Sequence, residues 1–137
     1  MIYTSYFAML RNIPDSIVPI SICGRAPEWY DGIQYKKLAP KYWFFSQYKE
    51  DGDQDHYVKC YAEEVTGKLN ANTVYEELQS LLKEPDKGKD IALLCYEKPG
   101  DFCHRHLVAN WFVEHGYECE EWNKERYKEK EDQEHDL

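Results

Sequence analysis

DIALLCYEKPGDFCHRHLVANWFVEHG, residues 90–116, decides how this chain folds. Ile91, Ala92, Leu93, Leu94 and Cys95 form a short unbroken apolar run. Such a run suits a strand covered on both faces, as in a parallel sheet, so a strand is expected over Ile91–Tyr96. Pro99-Gly100 ends it, because proline lacks an amide donor and glycine admits positive φ; a turn is expected over Glu97–Phe102. A helix follows from Cys103 to His115, with Asp101 as its expected N-cap and Gly116 as its C′ residue. Within it Val108, Trp111 and His115 share a face with His104, and Leu107 and Phe112 widen that face.

The chemistry gathers where strand hands over to helix. Cys95, Glu97, Lys98, Cys103, His104, Arg105 and His106 crowd one turn. The first amides of a helix have no partner within it, and the macrodipole is positive there. Arg105 and Lys98 add full charges, so the turn reads as an anion site. In open α/β sheets ligands bind outside the carboxyl ends of the strands, where this turn falls.

The segment LLCYEKPGDFCHRHLVANW resembles the signature of the domain-of-unknown-function 488 family, in which a strand ending in Cys-x-Glu is followed by Cys-His-Arg. MIYTSYF, VPISICGRAPEWY and YKKLAPK resemble its compact, phage-associated and bacterial branch, and the similarity runs from Met1 to about Trp122. The resemblance implies a small α/β domain with a pocket at the Cys-His-Arg turn. It implies no particular reaction.

A chain of 137 residues fits one domain, expected over 1–122, followed by a charged, frayed tail over 123–137. The net charge of −9 argues against general nucleic-acid binding, which needs lysine and arginine on phosphates. Much of the acid lies in the tail, so a local basic pocket of Arg25, Lys98 and Arg105 is still allowed. The 12 tyrosines and 4 tryptophans suit a core, and equally a pocket that stacks flat rings. Met1 leads straight into a strand-like IYTSYF, and no apolar run approaches the roughly 20 residues that span a bilayer, so a cytoplasmic location is expected. Five cysteines without a secretory signal read as reduced thiols, with Cys23, Cys95 and Cys119 as small core residues.

Ile2–Tyr6 is the first expected strand, and Ser5 near its end offers a hydroxyl to a ligand. Asp15–Cys23 is the second, with Pro19 marking an edge or irregularity. The loop Gly24–Tyr30 then emerges on the side of the Cys103 turn. It brings Arg25 for an anion and Trp29 and Tyr30 for a base. Helices are expected over Tyr42–Tyr48 and Tyr57–Leu69, then another opened by a Thr73–Glu76 capping box, and a last strand over Tyr117–Trp122. The fold class is therefore α/β: a small three-layer domain with a short, mostly parallel sheet of about four strands flanked by helices.

Three readings of the site remain open. The first is binding, or capture alone, of a nucleotide-derived anionic small molecule, ADP-ribose-like or a cyclic nucleotide signal. Arg105, Lys98 and Arg25 would hold phosphate, Cys103, His104 and Ser5 would line the site, Trp29 and Tyr30 would hold the ring, and Glu97 would accept from a ribose hydroxyl. In a phage setting that would capture a host signal, an anti-defence role. The second is an enzyme with Cys103 as nucleophile, His104 moving a proton and Glu97 as acid or base. The third is a zinc site drawn from Cys95, Cys103, His104 and His106, against which the spacing C-x7-C-H-x-H speaks. No cofactor and no metal is expected. The partner is a small molecule, with no membrane and with room for a homo-oligomer on the aromatic loops.

Overall fold

The computed structural model describes residues 1–97 and 101–122. Lys98, the Pro99-Gly100 break and the 123–137 tail lie outside the described residues. The apolar run forms a strand over Asp90–Cys95, and Ile91–Cys95 are all buried. This strand, β4, is flanked on one side by β1 (Ile2–Tyr6), with Ile2 opposite Ile91 and Tyr6 opposite Cys95. On its other side runs β2 (Ile17–Ser21), with Ile17 opposite Asp90 and Ser21 opposite Leu94. Beyond β2 lies β3 (Ile33–Gln34), and beyond β1 lies β5 (Cys119–Glu121). The order is β3-β2-β4-β1-β5, and every described pairing is parallel.

The sheet thus has five strands where about four were expected. The extra one, β3, is two residues long and too short to give a periodic signal. Its shortness explains Pro19. Although β2 lies between β3 and β4, β3 reaches only Ile20 and Ser21, so β2 is an open edge at Pro19. The Pro19 carbonyl faces outward there, 3.4 Å from the Tyr30 hydroxyl, and the missing amide donor is not asked of the β4 ladder.

Parallel neighbours require long crossovers, and the helices supply them. Between β3 and β4 come α1 (Tyr42–Asp51), α2 (Gln54–Glu64) and α3 (Ala71–Ser80). The expected polar connection over Lys49–Asp55 shrinks to Gly52–Asp53, because Gly52 closes α1 at φ 66° and the Asp53 carboxylate accepts from the His56 amide at 3.1 Å to open α2. A second correction concerns α3. Its N-cap is Asn70, which accepts from the Thr73 amide at 3.1 Å, so Thr73 lies inside the helix rather than capping it. Asn70→Ala is expected to cost about 1 kcal/mol in urea unfolding, the usual worth of such a cap; Thr73→Ala should cost less.

The last helix, α4 (His104–Glu114), packs on β1, β4 and β5. It buries His104, Arg105, Val108, Trp111 and Phe112. Its start differs from expectation, since Cys103 and not Asp101 occupies the N-cap position. Its end follows the expected pattern. Gly116 takes φ 89°, the Tyr117 amide donates to the Phe112 carbonyl at 3.0 Å, and the Gly116 amide donates to that of Val113 at 3.1 Å. The rings of Phe112 and Tyr117 meet edge-on at 5.5 Å, completing the apolar contact that accompanies this type of helix end. Among the described residues no helix is long and apolar enough to cross a membrane.

Candidate functional site

The chain leaves β2 towards β3 and leaves β4 in the opposite direction, through α4 to β5. Adjacent parallel strands whose connections diverge open a crevice at their carboxyl ends, where α/β sheets bind ligands. The sequence places its reactive groups there. Cys23 lies two residues past β2, Cys95 ends β4, and Cys103 and His104 begin α4.

These four side chains form one buried group, none more than 7% exposed. His104 Nε2 lies 2.8 Å from the Ile22 carbonyl oxygen. A carbonyl only accepts, so Nε2 carries the proton. Nδ1 lies 3.8 Å from Cys103 Sγ, and Cys95 Sγ lies beside the ring, 3.4 Å from Nδ1 and 3.7 Å from Nε2. Cys23 Sγ faces the Leu94 carbonyl at 3.8 Å. Above the group the Tyr61 ring stands 5.9 Å from the imidazole, fixed by its hydroxyl donating to the Leu38 carbonyl at 2.6 Å.

The electrostatics divide the thiols. Burial alone would push Cys103 up, but hydrogen bonding with Cys95 and His104 and the charge of the imidazolium outweigh it and bring Cys103 down to about 3. Burial pushes Cys95 well above the ordinary thiol value, and its bonds to Cys103 and Cys23 add to that. Cys23 is lowered by its hydrogen bond with Cys95. Burial works against the charged form of His104, yet its bond to Cys103 and the nearby thiolates raise it. Glu97 is raised by partial burial of its carboxyl and by Cys103 beside it. The arrangement supports a thiolate–imidazolium pair with a carboxyl at its edge.

Arg105 is the largest correction. It is 0% exposed, its guanidinium enclosed by the fold. Its Nε donates to both carboxylate oxygens of Glu121, at 2.9 and 3.2 Å, its Nη1 donates to the Glu97 carbonyl, and its guanidinium lies 5.6 Å from the centre of the Tyr6 ring. Glu121 also accepts from the Thr4 hydroxyl at 2.8 Å. Arg105 therefore ties β1, β5 and the turn after β4 together through Nε and Nη1, while its Nη2 is buried with no hydrogen-bond partner among the described residues. Ser5 is corrected likewise: fully buried, its hydroxyl donates to the Trp122 carbonyl at 3.2 Å. Tyr30 stacks on nothing external, since it is buried with its hydroxyl donating to the Ile33 carbonyl at 2.7 Å.

Two of the expected ligand contacts do stand open. Arg25 is exposed, and its carbonyl accepts from the Tyr96 hydroxyl at 2.7 Å, which moors the loop after β2 to the end of β4. Trp29 is 62% exposed and meets Phe7 edge-on at 6.2 Å; Phe7 in turn meets Tyr96 at 5.1 Å. Sequence reasoning missed Cys23 and Tyr96 as site residues. Tyr96 was legible as the middle residue of Cys-x-Glu, whereas nothing local to Cys23 announces Cys95, 72 positions on. Lys98 lies outside the described residues.

The thiol-rich group also bears on metal binding. Ligand atoms of Cys23, Cys95 and His104 all lie within 4.8 Å of one another. His106 has no place in this trio, so the sequence-derived set of Cys95, Cys103, His104 and His106 is redrawn. A cavity of about 540 Å³ lies elsewhere, between the start of β2 and the 29–32 loop, and no member of the group lines it. The cation in its wall, Lys89, is engaged with the Asp86 carboxylate at 2.7 Å and the Asp15 carbonyl at 2.9 Å.

No curated protein and no solved structure matches the chain. One family model does match, over residues 10–116, and its description is DUF488-N3a, the active DUF488-N3 subclade. The match spans β2 to α4 and includes Cys23, Cys95, Glu97, Cys103, His104 and Arg105. Covering most of the chain, it establishes that this protein belongs to the domain-of-unknown-function 488 family.

Proposed function

We propose that this protein binds a nucleotide-derived anionic small molecule, ADP-ribose-like or a cyclic nucleotide, in the crevice between the carboxyl ends of β2 and β4. The observation that carries this reading is the mooring of Arg25 to Tyr96 beside the Cys–His group. It holds the backbone of an exposed arginine beside the half-exposed Tyr96 ring, one residue beyond Cys95 of that group. Arg25 takes the phosphate contact that the sequence reading shared among Arg105, Lys98 and Arg25. Trp29 and Tyr96 offer ring faces, and Glu97 accepts from a ribose hydroxyl. Capture without turnover requires nothing more.

Isothermal titration with ADP-ribose, NAD, its cyclic variants and cyclic dinucleotides tests the reading. One of them is expected to bind, and Arg25→Ala should weaken it roughly 10- to 150-fold, the loss of a charge-assisted hydrogen bond worth about 1.5–3 kcal/mol. Absence of heat with the whole panel would sink it.

A second reading is favoured by one observation, the seat of Cys103 Sγ at the first turn of α4, 3.8 Å from His104 Nδ1. In it Cys103 attacks the bound molecule and the imidazolium returns the proton to the leaving group. The description of the matching subclade as active agrees with this reading. Product formation on the same panel, lost in Cys103→Ser with binding retained, would separate turnover from capture.

A further inference from the structure

The buried thiols pose a separate question. Cys23, Cys95, Cys103 and His104 come from the ends of two strands and the start of a helix, and all four are enclosed. We propose that these residues form a closed site for one soft divalent metal ion, Zn²⁺ by its ligand chemistry, with Cys23, Cys95 and His104 as the founding trio and Cys103 as the fourth ligand.

The spacing of the donor atoms is the first argument. Zinc at about 2.3 Å from sulfur and about 2.0–2.1 Å from nitrogen in tetrahedral geometry sets neighbouring donors roughly 3.4–3.8 Å apart. His104 Nδ1 stands 3.4 Å from Cys95 Sγ and 3.8 Å from Cys103 Sγ. Ligand atoms of Cys23, Cys95 and His104 all fall within 4.8 Å of one another, whereas Cys103 stands outside that trio and joins it by moving its sulfur inward from its place 3.8 Å from Nδ1.

The imidazole is the second argument, and it is independent of the spacing. A metal-bound histidine characteristically donates its other ring N–H to a carbonyl or carboxylate, which fixes the tautomer and aims the lone pair. His104 Nε2 has that partner in the Ile22 carbonyl at 2.8 Å, which leaves Nδ1 as the free nitrogen, 3.8 Å from Cys103 Sγ; Cys95 Sγ lies beside the ring, 3.4 Å from Nδ1 and 3.7 Å from Nε2, and must swing towards Nδ1 to share an ion with it. The third argument is burial. Three thiols and an imidazole removed from water make a poor packing group but a good shell for a soft cation, and a four-ligand site without an open position is a structural one. The ligands lie at positions 23, 95, 103 and 104, so no paired-knuckle spacing betrays the site in the sequence. By joining the ends of β2 and β4 to α4, the ion would pin the floor of the crevice.

The proposal does not rest on nucleotide binding, but it is incompatible with Cys103 as a free nucleophile. The full chain, produced without a metal-binding tag and purified without chelator, is analysed for metal by mass spectrometry. About one equivalent of zinc per chain is expected. Stripped protein given Co²⁺ should show intense sulfur-to-cobalt charge-transfer absorption with the visible bands of a tetrahedral ion. Cys95→Ser should abolish both signals. Cys103→Ser should keep the ion while losing about a third of the charge-transfer intensity, as one of three thiolates leaves. Metal below about a tenth of an equivalent together with no charge-transfer band on cobalt addition overturns the site. A cobalt spectrum unchanged in Cys103→Ser overturns the fourth ligand and returns that thiol to the reaction. Far-ultraviolet circular dichroism of each variant separates loss of ligand from loss of fold. Titration with the nucleotide panel is run apart, so either reading can fail alone.

Discussion

Arg105→Ala is expected to lower the unfolding free energy by about 3–5 kcal/mol, the usual result of removing one partner of a buried ion pair. A fully enclosed guanidinium holds Glu121 through Nε and the Glu97 carbonyl through Nη1. Deleting it leaves the Glu121 carboxylate, itself only 18% exposed, with the Thr4 hydroxyl as its remaining described partner. Chemical denaturation followed by fluorescence measures the loss. The double variant Arg105→Met, Glu121→Leu is the control. Replacing a buried pair by apolar groups is often neutral or stabilising, so the double variant should recover most of the loss. If instead Arg105→Ala unfolds like the parent and merely loses a bound nucleotide, the guanidinium serves the ligand and its structural assignment is wrong.

Phe112→Ala is expected to cost about 3–5 kcal/mol, as large-to-small changes of core aromatics do. Phe112 is 0% exposed, packs against Trp111 at 5.1 Å and Tyr117 at 5.5 Å, and gives its carbonyl to the Tyr117 amide that closes α4. Its removal leaves a cavity between the helix and the sheet and loosens the approach of β5. Against the 5–15 kcal/mol typical of a domain, the loss should appear as a clear fall in the denaturation midpoint. A fall smaller than that of Asn70→Ala would mean that α4 does not anchor the core.

The elements that the sequence displays plainly are those in which local pattern and tertiary burial agree. An apolar run bounded by a Pro-Gly break becomes the central strand. Gly116 ends α4 because only its positive φ allows the Tyr117 amide to turn back on Phe112. Where the two disagree, the sequence misleads. Arg105 has the look of a surface cation, and only the arrival of Glu121 and Thr4 from distant strands makes its burial tolerable. Asp101 is a better cap by composition than Cys103, but the thiol group draws α4 inward and places the boundary at Cys103. Cys23 reads as an ordinary core thiol because the partners that give it meaning follow some seventy positions later. Of the candidate site residues, Cys103 and His104 are suggested by their neighbourhood in the sequence and Arg25 by the expected topology.

The pairing of Ile2 with Ile91 has a kinetic consequence. The strand that meets β4 along five residues is made before it and must wait for nearly ninety more residues before its partner exists. Closing so long a loop precedes any reward from the contacts it brings, so this small domain should fold slowly for its size. During that interval an aromatic β-prone segment, IYTSYF, has no native neighbour on either side. Ribosome-bound chains that end before β4 should therefore be the ones most in need of a chaperone.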